Sequence, residues 1–294
     1  MHGALERAIT ELVLDNRLDP GDPAAVNAWL TRHGVPAEDG EALREQELER
    51  WLVYRKLVQG TLRGAIELGM PRALARLGPL FEQYFARFLR ERGPQTHYLR
   101  DVTSEFIDFC AELWPSDTGV PGYLIELARL EALRIEIAAA PPRADQEPLV
   151  PLDLSAGLAF TEAHRLLQYS YRVHELSENL DDRSAPAPGP VHLLVYRSPD
   201  HEVRYLELTA LAAGILGRLL AGHSLEKSLL DAAQAHGATL DDVTLDGAAT
   251  LLSDLSERGV LLGPCVGRSR LAGPAAGDPD QPLAAPKSTC TLGG

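Results

Sequence analysis

A chain of 294 residues, 45% of them hydrophobic, can bury the cores of two domains, and 42 acidic against 28 basic side chains leave it a formal net charge of −14. That balance weighs against nucleic acid, whose affinity comes mainly from Lys and Arg neutralising phosphates. No apolar run approaches bilayer length, and the opening Met-His-Gly-Ala-Leu-Glu-Arg shows no basic region followed by an apolar stretch, so neither a membrane nor a signal peptide is expected.

Leu5 to Leu14 reads as a short amphipathic helix ended by Asp-Asn-Arg-Leu-Asp-Pro20, and Pro23 to Thr31 as another before the Gly34-Val-Pro36 break. A long helix follows from about Gly40 to Leu68. Leu48, Trp51, Leu52, Val58, Leu62 and Ile66 lie along one face of it, with Tyr54 and Leu57 widening that face. Gly69 and Pro71 stop it. After Gly78-Pro79 a stripe of Leu80, Phe81, Tyr84, Phe85, Phe88 and Leu89 runs to Gly93-Pro94. His97 to Leu113 repeats the pattern with Tyr98, Leu99, Val102, Phe106, Phe109, Cys110 and Leu113, and Pro121 to Ala140 places Tyr123, Leu127, Leu130, Leu133 and Ile137 inward. Residues 1–140 are therefore expected to form a helical bundle.

Residues 141–190 read as a linker with one or two joining strands, carried by His-Arg-Leu-Leu-Gln-Tyr-Ser-Tyr-Arg-Val-His-Glu-Leu from His164 to Leu176. The linker is clearest at Ala139–Asp145, and Asp181 to Pro190 has the composition of a mobile loop. Two strand patterns come next, Val191–Tyr196 and Val203–Leu208, around the turn-like Ser198-Pro-Asp-His201. Three helical patterns follow, near Ala210–Ala221, Ser224–His236 and Thr244–Arg258, and Gly259-Val-Leu-Leu-Gly263 closes the segment. Strands plus three helices over residues 191–263 make a small winged-helix-like arrangement of domain size. The fold class expected is α+β, with a disordered Gly-, Pro- and Ala-rich tail over 264–294 that holds Cys290.

No constellation for catalysis emerges. Nine histidines form no His-x-x-x-His, Glu-x-x-His or His-x-Glu pair with a supporting third ligand, and there is no Gly-x-Ser-x-Gly elbow, phosphate loop or dinucleotide fingerprint. His164 and His174 read as surface or packing positions, and Cys110 as a structural thiol on a buried helix face. The three cysteines, Cys110, Cys265 and Cys290, lack metal-ligand spacing and fit a reducing cytoplasm. A winged helix invites DNA binding, but Thr244–Arg258 carries three acids and one base, nearly the reverse of a major-groove helix.

The stretches from His192 to Ala233 and from Leu251 to Gly263 resemble the peptide-chaperone fold of pyrroloquinoline quinone biosynthesis, known as the RiPP precursor recognition element. In the first half, Tyr54-Arg55, Leu77-Gly78 to Phe81, the run from Tyr98 to Phe109, and Tyr123 to Glu131 stand in the order found in partner proteins of multinuclear non-haem iron-dependent oxidases. The best known member serves methanobactin biosynthesis. The two resemblances cover about Gly40 to Gly263 and imply a non-enzymatic partner: it binds a precursor peptide and presents it, commonly for modification at cysteine, to a TIM-barrel oxidase. The iron would belong to that enzyme, and no cofactor is expected in this chain.

By resemblance, an extended leader peptide adds as a further strand to the edge strand Val203–Leu208, beside the helix Thr244–Arg258. Arg204, Tyr205, Leu206 and Glu207 are the expected edge residues. Leu245, Ala248, Ala249, Leu252 and Leu255 would form the apolar groove wall, with ordinary core the competing reading for each of them and above all for Leu252 and Leu255. Arg55 and Glu131, charged residues in or beside apolar stripes, are expected to pair with one another and tie the long helix to the last one. The alternative places either of them at the oxidase interface.

Overall fold

The computed structural model describes residues 2–15, 17–19, 21–45, 48–141 and 155–264; of residues 2, 42–45, 48, 49 and 51 only the backbone is described. Of the expected linker over 141–190, residues 142–154 fall outside this range, as does the expected tail from residue 265. The fold is α+β, and the chain divides into two compact units: Met1–Glu136 with Tyr169–Pro190, and Ile137–Gln168 with Val191–Gly294. The division does not follow chain order, because residues 169–190 belong with the helical unit.

The helical unit holds α1 (His2–Leu14), α2 (Pro23–Arg32), α3 (Ala37–Glu45), α4 (Leu48–Gly69), α5 (Pro71–Leu77), α6 (Leu80–Glu91), α7 (Val102–Ala111) and most of α8 (Leu124–Ala139). The single long helix expected from Gly40 is two helices, α3 and α4. Along α4, Leu62 and Ile66 are buried, whereas Tyr54 and Leu57 are 50% and 63% exposed, so they do not widen the buried face. The region at Tyr98 and Leu99 is also exposed, and α7 begins only at Val102 after a 3₁₀ turn.

Helix α5, between the two helix-breaking points, was not read from the sequence. Pro71 takes its first position, where a missing amide is tolerated, and Gly78 ends it at φ 58°. Just before it, α4 approaches α7 so closely that a Cβ on Gly69 would lie 2.3 Å from the Thr103 hydroxyl oxygen.

The stripe on α6 buries Phe81, Tyr84, Phe85, Phe88 and Leu89, the spacing that puts side chains on one helix face. Phe106 of α7 meets Phe81 and Phe88 edge-on, with ring centroids 5.9 and 5.5 Å apart, the preferred arrangement of aromatic quadrupoles. Cys110 lies wholly inside this core, and burial pushes its thiol pKa up, so it is a packed sulfur and not a nucleophile. Tyr84 donates to the Asp117 carboxylate at 2.6 Å, and desolvation, then that hydrogen bond, raise its pKa to about 12.

Arg55 and Glu131 are both buried, but they do not pair with each other as expected. Arg55 Nε donates to the Leu12 carbonyl at 2.7 Å and Nη2 to the Leu18 carbonyl at 3.1 Å, while Gln59 Nε2 donates to the Val13 carbonyl at 2.8 Å. These acceptors are orphan carbonyls at and beyond the C-terminal end of α1, where a cation also complements the helix dipole. Glu131 instead receives the backbone amides of Arg72 and Ala73 at 3.0 and 2.9 Å, capping α5, together with Arg72 Nε at 3.1 Å. Arg72 continues to the Leu176 carbonyl at 3.0 Å. The arginine that answers Glu131 is thus the one whose own amide lies at a helix start, a geometry that spacing along α4 does not reveal.

In the second unit, β3 (Pro188–Arg197) pairs antiparallel with β4 (Val203–Leu208), and the sheet that includes β2 (His164–Tyr171) has the order β2-β3-β4. Helices α9 (Ala210–Leu220), α10 (Leu225–His236) and α11 (Asp242–Glu257) follow, and a short ribbon joins β1 (Leu158–Phe160) to β5 (Leu261–Pro264). Thr209, Ser224 and Asp241 start the three helices, each side chain accepting from an amide three residues on. Their inner faces meet Leu194, Tyr196 and Leu208 in one core.

Two outcomes follow from the buried groups. A double-mutant cycle on Arg72 and Glu131, read by urea unfolding, should show each single alanine change costing about 3–5 kcal/mol with strong coupling, whereas Arg55 and Glu131 should couple by less than about 0.5 kcal/mol. Tyr84 is held protonated by the fold, so its contribution is full below the unfolded pKa near 10 and fades as pH rises towards about 12. The thermal midpoint should fall more steeply over that window in the parent chain than in Tyr84→Phe.

Candidate functional site

The residues expected from the sequence to bind peptide lie on β4 and α11. The β3–β4 turn closes with the Ser198 amide donating to the Glu202 carbonyl at 2.9 Å, while His201 takes the left-handed conformation at φ 66°. This is a type I turn followed by an αL residue, a common short hairpin connection in which glycine usually fills the last place. The pairing continues as Arg197 with Val203, Tyr196 with Arg204, Val195 with Tyr205, Leu194 with Leu206 and Leu193 with Glu207.

Antiparallel ladders alternate hydrogen-bonded and non-hydrogen-bonded pairs, and the closing pair fixes the phase. The backbone groups of Arg204 and Leu206 therefore point towards β3. Those of Val203, Tyr205 and Glu207 point away from it, on the side of β4 where the strand order ends. Sequence reasoning named the strand but not Val203, whose outward orientation follows only from the turn.

Side chains alternate independently of this. Leu206 turns to the core with Leu194 and Leu208. Arg204 is exposed and occupied within its own hairpin, with Nη2 2.6 Å from the Asp200 carboxylate and Nε 3.2 Å from the Ser198 hydroxyl. Tyr205 is half-buried and Glu207 exposed.

At the end of β2 the Glu126 carboxylate accepts the amides of Ser170 and Tyr171 at 2.9 and 3.1 Å. Edge strands left open are templates for pairing with another chain, and folds commonly blunt the ones they do not use. A carboxylate five residues before Glu131 thus does for a strand what Glu131 does for a helix.

The five α11 positions separate into two groups. Ala248, Leu252 and Leu255 belong to the core of the unit, at 6%, 7% and 0% exposure, where the competing core reading places them. Leu245 is 45% exposed and Ala249 is also exposed, so the apolar stripe of α11 runs past the core at the helix's N-terminal end. The helix carries Asp242, Asp246, Asp254 and Glu257 and no basic residue within its bounds. Arg258, just after it, is held by Asp254 and by the buried Tyr196 hydroxyl, both at 2.8 Å, and those hydrogen bonds raise its pKa. Nearby cations are committed too, since Arg197 gathers the carbonyls of Ala138, Ala140 and Pro141. No helix of the described residues is long and apolar enough to cross a membrane.

Residues 161–256, a third of the chain, match the family model of the HvfC C-terminal domain. The matched stretch runs from just before β2 to the last turn of α11, and so takes in the whole three-stranded sheet. No curated protein matches the chain.

The two α11 groups can be told apart by stability. Leu255→Ala should cost about 2–4 kcal/mol in chemical denaturation by opening a cavity, while Leu245→Ala should change it by less than about 0.5 kcal/mol. Arg204→Gln, which breaks only an exposed pair, should cost less than about 1 kcal/mol.

Proposed function

We propose that this chain is a non-catalytic partner that captures the leader of a ribosomally made precursor peptide along β4. It then presents the peptide's core, at cysteine, to an iron-dependent TIM-barrel oxidase. The observation that carries the reading is the coincidence of the HvfC C-terminal domain match with a sheet whose outer strand is β4. Main-chain hydrogen bonds at Val203, Tyr205 and Glu207 supply affinity, and the exposed apolar end of α11 at Leu245 and Ala249 helps select the sequence.

On this account residues 1–140 and 191–263 divide the work: the helical domain engages the oxidase and the strand-and-helix domain engages the peptide. Holding peptide and enzyme on one scaffold raises the effective concentration of substrate at the iron site, so a modest leader affinity suffices. The iron and the oxidation are the partner's, and the setting is the reducing cytoplasm. DNA binding is disfavoured because the helix that would enter a groove bears four acids, and the neighbouring arginines are occupied by protein acceptors.

Proline substitution separates the two sides of β4. In Tyr205→Pro the removed amide is not one of the β3 ladder, so the chain should stay folded and leader affinity should fall about tenfold or more. In Leu206→Pro the β3 ladder itself is broken and the unit should unfold. Calorimetric titration with the precursor peptide, alongside circular dichroism, reads both; undiminished affinity in a folded Tyr205→Pro would end the strand-addition reading.

A further inference from the structure

In the helical unit, α1, the end of α2 and the end of α6 line an open cleft of about 770 Å³. Five arginines line it, Arg7, Arg17, Arg32, Arg90 and Arg92, against the three carboxylates of Glu6, Glu11 and Asp15. In a chain whose acids outnumber its bases 42 to 28, this is a local reversal of charge.

The arginines are not equally engaged. Arg17 is forked onto Asp15, and although burial raises the pKa of that carboxyl, the hydrogen bonds from Arg17 overcome it and hold the group below its usual range. Arg32 reaches Glu11 at 2.5 Å, and Glu11 also meets His33 at 2.8 Å. Arg90 pairs with Glu91, a carboxylate also held by Arg87, and its charge acts on Asp15 as well. For Arg7 and Arg92 no ion pair is found among the described residues, although both line the cleft. Two guanidiniums without an ion pair, in an open cleft whose lining is positive on balance, attract anions.

We propose that this cleft binds a small, multiply charged oxyanion of the phosphate and phosphate-ester class, with Arg7 and Arg92 as the recognising guanidiniums. A guanidinium presents parallel N–H donors that match two oxygens of one phosphoryl group, and a dianion neutralises both arginines at once. Arg90, paired with Glu91 outside the cleft lining, stands as a third cation on the same wall. The cleft lies outside residues 161–256, so this site is separate from the peptide reading and stands or falls without it.

The test is isothermal titration of the full chain with inorganic phosphate, pyrophosphate, citrate and sodium chloride at matched ionic strength. The parent should bind phosphate or pyrophosphate saturably, and Arg7→Gln/Arg92→Gln should bind at least about tenfold more weakly with an unchanged melting temperature in plain buffer. Arg87→Gln, an arginine outside the cleft, should behave as the parent. If the double variant fails to fold, Arg92→Gln alone carries the comparison. No saturable phosphate binding, equal binding in the variant, or heat reproduced by chloride would overturn the proposal. Binding of citrate without phosphate or pyrophosphate would overturn the phosphate class.

Discussion

The carboxylate of Glu131 is the constraint on which the helical unit depends. Buried at 4% exposure, it would be costly unless every lone pair were engaged, and three donors converge on it: two successive amides at the start of α5 and the Arg72 guanidinium. Through this group α8 fixes the position of a helix only seven residues long, too short to be stable from its own hydrogen bonds. Arg72 passes the constraint on to the Leu176 carbonyl, and so holds residues 169–190 within the same unit. A hydrophobic replacement of the pair could match its stability, but it would not specify where α5 begins.

The same device recurs wherever backbone groups are left over. Arg55 and Gln59 of α4 reach the carbonyls at the end of α1, and Glu126 of α8 reaches the amides at the end of β2. Each charged side chain sits where an orphan donor or acceptor would otherwise lack a partner. Along β4 the phase of the hairpin turns the backbone groups of Val203, Tyr205 and Glu207 away from β3.

Much of this was legible in the sequence because hydrophobic periodicity reports burial directly. The stripe of α6, the extent of β4 and the three C-terminal helices all read true, the last because Thr209, Ser224 and Asp241 supply cap oxygens where a helix must begin. Periodicity was blind to polarity inside a core. It left α5 unread between its proline and glycine, and it paired Arg55 with Glu131 because both stood near apolar stripes, although their acceptors and donors are backbone groups remote in sequence. On α11 the pattern could not say where one apolar face stops being core. Ala248, Leu252 and Leu255 pack into the core of the unit while Leu245 emerges at 45% exposure. The phase of the β4 edge needed the turn hydrogen bond, which no composition encodes.

The central claim, that a peptide adds as a strand to β4, is tested most directly by residue-resolved amide hydrogen exchange. Each short peptide encoded beside this chain would be added in turn. Strand addition predicts that the amides of Val203, Tyr205 and Glu207 slow on binding while those of Arg204 and Leu206, already directed into the ladder with β3, change little. Uniform slowing through β4 and its helices would indicate general stabilisation, and protection confined to other elements would place the peptide elsewhere; either result contradicts the account.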